Sequence, residues 1–302
     1  MLLKRIGFTV TPEFDGRPVG QILRGCGVSM TRVRSLKRVP GGITLDGQPV
    51  HTNQTAHMGQ IVEISIPEDD RPAEPSDTIT AAIVYQDEQI MILNKPPFMP
   101  VHPVRQYRTD TLANDFAALL LREGRSSAFR PLNRLDRNTS GLVAAAMNSF
   151  AAAKLSGKVQ KEYAAVVHGR LTGTGSIDAP LRRREGYGIS REVGEGGQPA
   201  VTHWETLACS DSHTLLRLWL DTGRTHQIRA HMSYLGYPLE GDTMYGGQNQ
   251  TMARQALHCG RLWLEHPTSG QRIEVSAPVP EDMLAFLQSQ GWPDPFAPEH
   301  SV

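Results

Sequence analysis

The chain has 302 residues, of which 39% are hydrophobic and 21% charged, and its 31 basic side chains equal its 31 acidic ones in number. This composition is typical of a globular protein and excludes fibrous and intrinsically disordered classes. The three cysteines form no Cys-x-x-Cys pair, and the sequence contains neither a signal-peptide core nor the roughly 20 apolar residues of a membrane-spanning helix, so we expect a cytoplasmic protein without a disulfide framework or zinc ribbon.

A small first unit is predicted over residues 1–66, with its core in residues 12–66. Two short helices are predicted in VGQILRGCGVS and MTRVRSLKRV. A tight hairpin follows at Asp46-Gly47, because this pair tolerates positive φ angles at a turn. GQIVEISI then alternates between apolar and polar residues, which predicts a strand that closes the unit.

The charge of this first unit is strongly polarised. Between residues 16 and 45 the chain has six basic side chains and no acidic one. A basic surface attracts phosphate groups, so a neutral total charge does not exclude a nucleic-acid partner. The alternative, that the charges form only a solvated surface, stays open. The candidate RNA-binding residues of this unit are Arg32, Arg34, Lys37 and Arg38.

The second unit is predicted over residues 80–302, after an acidic, Pro-rich linker at 67–79. TLANDFAALLL predicts a helix capped by Asp110, and HQIRAHMSYLG predicts one that ends at Gly236. The irregular, strand-rich order favours an α+β fold over a doubly wound α/β fold. Strands are predicted on both sides of Asp87-Glu88 and in LVAAAM, KEYAAVVHG, HTLLRLWL, GRLWLEH and RIEVSAP.

Asp136 is the candidate catalytic residue. It lies in RPLNRLDRNTSGLVAAAM, directly before an apolar strand, and Arg130, Arg134 and Arg137 surround it in sequence. Neighbouring cations favour the ionised carboxylate, which can act as a nucleophile or a base. The alternative is that Asp136 only caps a turn or pairs with an arginine, and local chemistry alone favours that alternative.

RLDRNTSGL resembles the signature of RluA-type pseudouridine synthases, His-Arg-Leu-Asp-x-x-Thr-Ser-Gly, with Asn133 in place of the leading His. The resemblance spans about residues 80–280. Residues 12–66 resemble the small alpha-L RNA-binding domain that often precedes this catalytic domain. The further segments that carry the resemblance, in the family's order, are DEQIMILNKPPFMPVHP, KEYAAVVHG, GGQPAVTHWETL, TGRTHQIRAHMSYLGYPLEGDTMYGG and ALHCGRLWLEHPTSG.

The resemblance implies roles for individual residues. Asp136 matches the catalytic aspartate, Tyr163 the active-site tyrosine on which uracil would stack, and Arg229 the active-site basic residue. Arg134 matches an arginine that holds the RNA once the target base has left the stack, and Arg137 is taken as a second RNA-binding residue. The reaction is an isomerisation without a redox step or net hydrolysis, so no cofactor is expected. At Asn133 only local hydrogen bonding is in question, and an amide can also donate and accept.

Several histidines raise the question of a metal site. His226 and His231 are five residues apart, which places them off one helical face, unlike the four-residue spacing of zinc-binding helices. We therefore expect no metal and interpret both as supporting residues of the site. The other potential metal ligands considered are Asp242, His258 and Cys259.

The sequence as a whole predicts an RNA pseudouridine synthase. We expect an N-terminal RNA-binding domain and an α+β catalytic domain with a mixed, largely antiparallel sheet. The expected partner is RNA, ribosomal rather than transfer RNA, and the expected state is a monomer. One alternative is an inactive RNA-binding or ribosome-assembly factor of the same fold, which the joint presence of Asp136, Tyr163 and Arg229 disfavours. A hydrolase using Asp136 and a histidine is disfavoured because no Gly-x-Ser-x-Gly or metal-ligand spacing occurs.

Overall fold

The computed structural model describes residues 3–67, 72–104, 107–248 and 251–297. The two helices and the hairpin predicted for the first unit are confirmed; Asp46 and Gly47 have φ angles of 48° and 79°. Apolar side chains of both helices and of the sheet β1-β6-β3-β4 share one core. The elements are β1 (Leu3–Thr9), β2 (Arg17–Pro18), α1 (Val19–Gly25), α2 (Met30–Leu36), β3 (Ile43–Leu45), β4 (Gln48–Pro49), β5 (Thr55–Ala56) and β6 (Ile61–Pro67).

The segment between the two units is only partly described. Residues 68–71 of the predicted linker, with three of its acidic side chains, lie outside the described residues. Residues 72–81 contain no helix or strand. Their second half is nevertheless anchored by the buried carboxylate of Asp115, which accepts hydrogen bonds from Ser76 Oγ at 2.7 Å and from the N–H groups of Thr80 and Ala81 at 2.9 Å. The chain therefore enters the second unit at a defined point.

The second unit is built on a ten-stranded sheet in the order β12-β15-β16-β11-β17-β10-β8-β7, with β9 paired to β10 and β18 to β17. Among its described pairings β10–β17 is parallel and the others are antiparallel. This confirms the α+β prediction. The elements are β7 (Ala82–Gln86), β8 (Ile90–Lys95), α3 (Leu112–Arg122), β9 (Arg130–Pro131), β10 (Ser140–Ala146), α4 (Ser149–Leu155), β11 (Gln160–His168), β12 (Thr174–Asp178), β13 (Leu181–Arg183), β14 (Arg191–Val193), β15 (Val201–Cys209), β16 (His213–Leu220), α5 (Gln227–Tyr234), β17 (Leu257–Glu265), β18 (Arg272–Ser276) and α6 (Glu281–Ser289).

The prediction that Asp110 caps α3 is wrong. Asp110 is exposed, and the N-cap is the fully buried Thr111, whose N–H donates to Asn114 Oδ1 at 3.1 Å. The first turn of α3 packs beneath the preceding loop, where the N–H of Leu112 donates to the carbonyl of Pro100 at 2.9 Å. An uncompensated carboxylate would be unfavourable at this buried position, whereas a hydroxyl is tolerated.

The first unit rests on α4. Phe150 belongs to the apolar core of the first unit, and its ring meets the ring of Phe8 edge-on at 5.4 Å. Arg32 Nη2 donates to Ser149 Oγ at 3.0 Å, and Lys154 Nζ donates to the carbonyl of Cys26 at 2.9 Å. One of the cations predicted to bind RNA therefore makes a contact between the two units. Within the described part of the chain, no helix combines the length and apolar character needed to cross a membrane.

Candidate active site

Asp136 lies in the loop between β9 and β10. The backbone geometry at the start of β10 explains why a glycine, Gly141, follows this loop. Gly141 has a φ of +115°, and a Cβ atom built there would lie 2.2 Å from the carbonyl oxygen of Cys259. Only glycine allows the two backbones to approach so closely. At this point β10 pairs in parallel with β17, with Ser140 opposite His258 and Gly141 opposite Cys259. The pair Ser140-Gly141, which follows the Asp136 loop, therefore positions that loop at the centre of the sheet.

Three buried polar side chains hold the Asp136 loop. Asn133 donates to the carbonyl of Leu142 at 3.1 Å and accepts the N–H of Ala144 at 2.9 Å, which ties the loop to β10. This agrees with the expectation that residue 133 serves local hydrogen bonding. Lys95 Nζ donates to the carbonyl of Arg137 at 3.1 Å, and Arg254 Nη1 donates to that of Asn138 at 3.1 Å.

Lys95 is unusual because it is completely buried. Burial is the largest cause that lowers the pKa of Lys95 to about 7; the charge of Arg254 and that of Arg137 contribute to this lowering, and the charge of Asp136 opposes it. The two carbonyl acceptors of the amine, on Pro96 and Arg137, hold it in its protonated and in its neutral form.

Arg229, the third residue of α5, bridges two carboxylates. Its Nη1 donates to Asp136 Oδ2 at 3.1 Å, while Nε and Nη2 hold the two oxygens of Asp242 at 2.6 and 2.8 Å. The side chain of Arg229 is 7% exposed and that of Asp136 is 23% exposed. Burial alone would lower the pKa of Arg229, but the hydrogen bonds and charge of Asp242, with the charge of Asp136, raise it. The guanidinium is thus a permanent cation beside Asp136.

His226 and Tyr245 complete the surroundings of this ion pair. His226 is the N-cap of α5 and has a φ of 55°, a left-handed conformation that is uncommon outside glycine. Its Nδ1 lies 3.0 Å from Tyr245 Oη, and its Nε2 lies 3.9 Å from Asp136 Oδ2. Burial lowers the pKa of His226 despite the attraction of Asp136, so the imidazole is neutral at pH 7. The guanidinium of Arg229 lies 4.9 Å from the centre of the Tyr245 ring.

Tyr163 lies on β11 at a β-bulge, where Glu162 pairs with Arg261 but Tyr163 pairs with Cys259. Such bulges redirect side chains and are common beside active sites. Burial raises the pKa of the Tyr163 phenol well above its ordinary value, and the neighbouring Cys259 and Asp136 add to this effect. Tyr163 is therefore a neutral aromatic group.

A cleft of about 850 Å³ opens over these residues, and Asp136, Tyr163, Arg134 and Arg137 all line it. A smaller cavity of about 60 Å³ is lined by Asp136 and Tyr163 together with His226 and Arg229. The polar contacts of the Asp136 carboxylate with Arg229 and His226 involve Oδ2, and Oδ1 has no hydrogen bond among the described residues. The site thus presents a carboxylate oxygen, a neutral aromatic ring and exposed arginines to one cleft.

The structure places Asp136, Tyr163, Arg229, Arg134 and Arg137, five of the candidate site residues, around the cleft and the adjoining small cavity. It does not bring the four cations of the first unit to the cleft: Arg34, Lys37 and Arg38 are exposed on or just after α2, and none of the four lines the cleft. His231 also makes no contact with Asp136, since it bonds to Thr202 Oγ1 at 2.8 Å and to the Ala179 carbonyl at 2.9 Å.

Sequence reasoning missed the role of Asp242 as the main partner of Arg229, and it did not identify Tyr245 or Lys95. Asp242 and Tyr245 stand in the quoted segment GDTMYGG, and Lys95 in LNKPP. Their presence in segments that resemble the family was the available signal for a role in the site. The residues that they contact in the structure, however, lie far away in sequence.

The chain is similar to known proteins in sequence and in fold. Residues 89–234 match a family model described as RNA pseudouridylate synthase. The chain is 36% identical over 275 residues to a Bacillus subtilis protein named uncharacterized RNA pseudouridine synthase YjbO, covering 87% of this chain and 96% of that one. It is 35% identical to the ribosomal large subunit pseudouridine synthase D of Pseudomonas aeruginosa, covering 82% and 83%. The solved structure of human RNA pseudouridylate synthase domain containing 1 superposes with a TM-score of 0.56 at 26% identity, covering 74% of this chain and 99% of that one.

Proposed function

Because this chain belongs to the RluA-type family of RNA pseudouridine synthases, enzymes that isomerise uridine in RNA, we propose that Asp136 is the residue that carries the reaction. The observation that supports this is the 3.1 Å contact between Asp136 and the permanently charged Arg229 at the wall of the cleft. An opposite charge at this distance favours the ionised carboxylate, which the chemistry requires.

The reaction needs a carboxylate next to the sugar. The uracil leaves the ribose through nitrogen and rejoins it through carbon, and the proton on that carbon is then removed. An ionised Asp136 can attack the anomeric carbon, or it can take a proton from the neighbouring sugar carbon. Either route uses a free carboxylate oxygen, and Oδ1 is the oxygen without a hydrogen bond among the described residues.

The other residues of the cleft bind and orient the RNA in this proposal. The base must leave the helical stack to reach Asp136, which costs a few kcal/mol and favours loops or distorted sites. Tyr163 offers the uracil a neutral aromatic face. Arg134 and Arg137 line the cleft and are exposed, so they are placed to pair with phosphates. Arg229 positions Asp136.

We propose that the substrate is a ribosomal RNA. The support is that relatives about 35% identical over four fifths of the chain are named ribosomal large subunit pseudouridine synthases. Mapping pseudouridine in total RNA from cells with and without this gene tests the proposal. A site that disappears only from transfer RNA would contradict it.

We further propose that residues 1–66 form an RNA-binding domain, 67–79 a linker and 80–302 the catalytic domain. The separate sheet and core of the first unit support this division, as do its exposed cations Arg34, Lys37 and Arg38. The contact with α4 gives the first unit a defined position beside the sheet of the second unit.

The test of Asp136 is the isosteric substitution Asp136→Asn. We expect folding and RNA affinity close to the parent and a single-turnover rate lower by roughly 10⁴-fold or more, because the amide keeps the shape and lacks the charge. Asp221→Asn is the matched control, since Asp221 lines the same cleft but pairs with His203 at 2.9 Å. Activity of Asp136→Asn within tenfold of the parent would remove Asp136 from the mechanism.

A further inference from the structure

A second cluster of chemically active side chains lies outside the Asp136 site. His168 is the last residue of β11, His213 is the first residue of β16, and Glu240 follows α5. The Nε2 atoms of the two histidines both face one oxygen of the glutamate, Oε2, at 2.8 Å and 3.4 Å. All three donor atoms lie within 4.8 Å of one another. They are far apart in sequence, so no spacing pattern signals the group.

The carboxylate of Glu240 is only 2% exposed. A buried carboxylate is usually paired with a cation or coordinated to a metal, because its desolvation is otherwise unfavourable. No lysine or arginine pairs with Glu240 among the ion pairs of the described residues; besides the two histidines, its Oε1 accepts the Thr251 hydroxyl at 2.5 Å. The site is therefore deficient in positive charge.

His168 Nε2 has two polar neighbours, Glu240 Oε2 at 2.8 Å and the backbone N–H of Gln248 at 3.0 Å. This nitrogen has one position for a proton or a lone pair, so it serves one of these neighbours at a time. With its lone pair towards Glu240, the neutral His168 leaves the buried carboxylate without a compensating charge, and a cation bound by the nitrogen and the oxygen would supply that charge.

We propose that His168, His213 and Glu240 form a binding site for a divalent transition metal, with Zn²⁺ as the ion that fits best. Two imidazole nitrogens and one carboxylate oxygen are a donor set that zinc accepts, with water in the fourth position. The histidine side chains are 22% and 17% exposed, which leaves solvent access to that position. Mg²⁺ fits poorly because it prefers oxygen ligands.

The position of this site suggests a structural role. Glu240 is bonded through its backbone to two neighbouring segments of the sheet, since its N–H donates to the carbonyl of Val166 in β11 and its carbonyl accepts the N–H of Ala256, directly before β17. Two residues later, Asp242 holds the fork of Arg229. An ion that joins β11, β16 and Glu240 would stiffen the segment that carries Asp242. This proposed metal site differs from the expectation, made from the sequence, that the protein binds no metal. That expectation was based on residues other than His168, His213 and Glu240.

The experiment titrates the full-length protein, stripped of metal with a chelator, with Zn²⁺ alone. Calorimetry and equilibrium dialysis should give saturable binding of one ion per chain in the micromolar range or tighter. At a hundredfold excess over the dissociation constant, the melting temperature should rise by about 5 °C, and Mg²⁺ should leave it unchanged. Absence of saturable Zn²⁺ binding to the parent protein overturns the proposal whatever the variants do.

Variants identify the ligands. His168→Gln and His213→Gln should each weaken Zn²⁺ binding by about tenfold or more, which at the same Zn²⁺ concentration lowers the thermal shift to about half or less. His266→Gln is the matched control, because His266 also pairs with a carboxylate, Asp87 at 3.1 Å, but belongs to no group of three potential metal ligands among the described residues. If the two ligand variants bind Zn²⁺ like the parent, the ion is adventitious and the proposal fails.

A spectroscopic measurement on the unaltered protein covers the case in which a variant does not fold. Co²⁺ substituted for Zn²⁺ should show the visible absorption of a four-coordinate nitrogen and oxygen site. A thiolate charge-transfer band would assign the ion to a cysteine instead, and a weak six-coordinate spectrum would indicate a loosely held surface ion. Either result contradicts the proposed ligand set.

Discussion

At the scale of single residues, Arg229 organises the candidate site because its single guanidinium group donates hydrogen bonds to two carboxylates. The fork formed by Nε and Nη2 is fully used by Asp242, so Asp136 receives only the remaining Nη1 donor. The resemblance implied that Arg229 is the active-site basic residue. The structure shows a chain of three charges in which Asp242 holds the arginine and the arginine holds Asp136, the carboxylate that we propose as the reacting group.

This arrangement predicts graded effects of substitution. Arg229→Lys keeps a charge but cannot serve both carboxylates with a planar fork, and we expect its single-turnover rate to fall by roughly 10²-fold. Arg229→Met leaves two carboxylates without a cation and should be nearly inactive. Rapid-quench rates at saturating RNA, with melting temperatures measured in parallel, separate catalysis from folding. If the methionine variant keeps the bound rate and only loses RNA affinity, Arg229 is a phosphate contact.

A second residue-scale prediction concerns the pH dependence of stability. Burial lowers the pKa of His258 to about 4, and the neutral ring bonds to Ser140 Oγ and the Ala277 carbonyl, each at 3.0 Å. The unfolded state protonates this histidine near pH 6.5, so its contribution is complete above pH 6.5 and is lost as the pH falls towards 4. The loss amounts to about 3 kcal/mol.

Urea unfolding at several values between pH 7 and 4 measures this effect. His258→Gln should be less stable at pH 7 yet should lose less stability on acidification than the parent, because the substituted residue does not titrate. The buried His226 and His231, whose pKa values burial also lowers, remain in both proteins and account for a residual slope. Equal pH slopes in parent and variant would contradict the assignment.

At the scale of elements, helix α6 stabilises the Asp136 loop through Arg254. The buried guanidinium of Arg254 holds both oxygens of Asp282, in the first turn of α6, at 2.6 and 2.8 Å, and it also donates to the Asn138 carbonyl in the loop. Burial alone would raise the pKa of Asp282, but the hydrogen bonds and charge of Arg254 lower it. A helix near the C-terminus thus supports a loop in the middle of the chain.

We therefore predict that Asp282→Asn destabilises the protein and loosens the loop. The free energy of unfolding should fall by roughly 2 kcal/mol, less than for a fully buried pair, because the Asp282 side chain is 41% exposed. Hydrogen exchange in peptides covering residues 133–139 should become faster. Glu281→Gln, in the same helical turn, should change neither measurement. Unaltered exchange in Asp282→Asn would mean that α6 and the loop are not coupled.

At the scale of the whole molecule, the first unit sits on α4 and leaves three of its four candidate RNA-binding cations exposed. Arg32 is partly occupied by Ser149, whereas Arg34, Lys37 and Arg38 are free to meet solvent or phosphate. The structure therefore separates a cation that contributes to docking from three whose proposed partner is RNA. Replacing these three leaves the contact with α4 intact.

The triple variant Arg34→Gln, Lys37→Gln and Arg38→Gln should weaken RNA binding and reduce the slope of log affinity against log salt by about 2, since each phosphate contact contributes 0.7 to 0.9. The rate at saturating RNA should stay near that of the parent. The control removes the same charge at the exposed Arg122, Arg170 and Arg272. If both triple variants keep the parental slope, the basic run of the first unit is only a solvated surface.

The sequence by itself determined the local features of this protein. Asp46-Gly47 specified a turn because few residue pairs accept two positive φ angles, and apolar periodicity located the main strands and α3. Asp136, Tyr163 and Arg229 were identified because each lies within a contiguous segment that resembles the family, and such a segment is readable without the fold.

Only the tertiary structure decided which distant residues meet. Four features depend on the order of strands in the sheet and on burial. They are the paired hydrogen bonds from Arg229 to Asp242, the packing of the first unit on α4, the use of Thr111 rather than Asp110 as a helix cap, and the cluster around Glu240. The strands β1 and β15, the helix α6 and the short elements α4, β2, β5, β9 and β12–β14 were also not predicted. Local sequence sets backbone preferences over a few residues, whereas desolvation and charge pairing act between groups that the fold brings together.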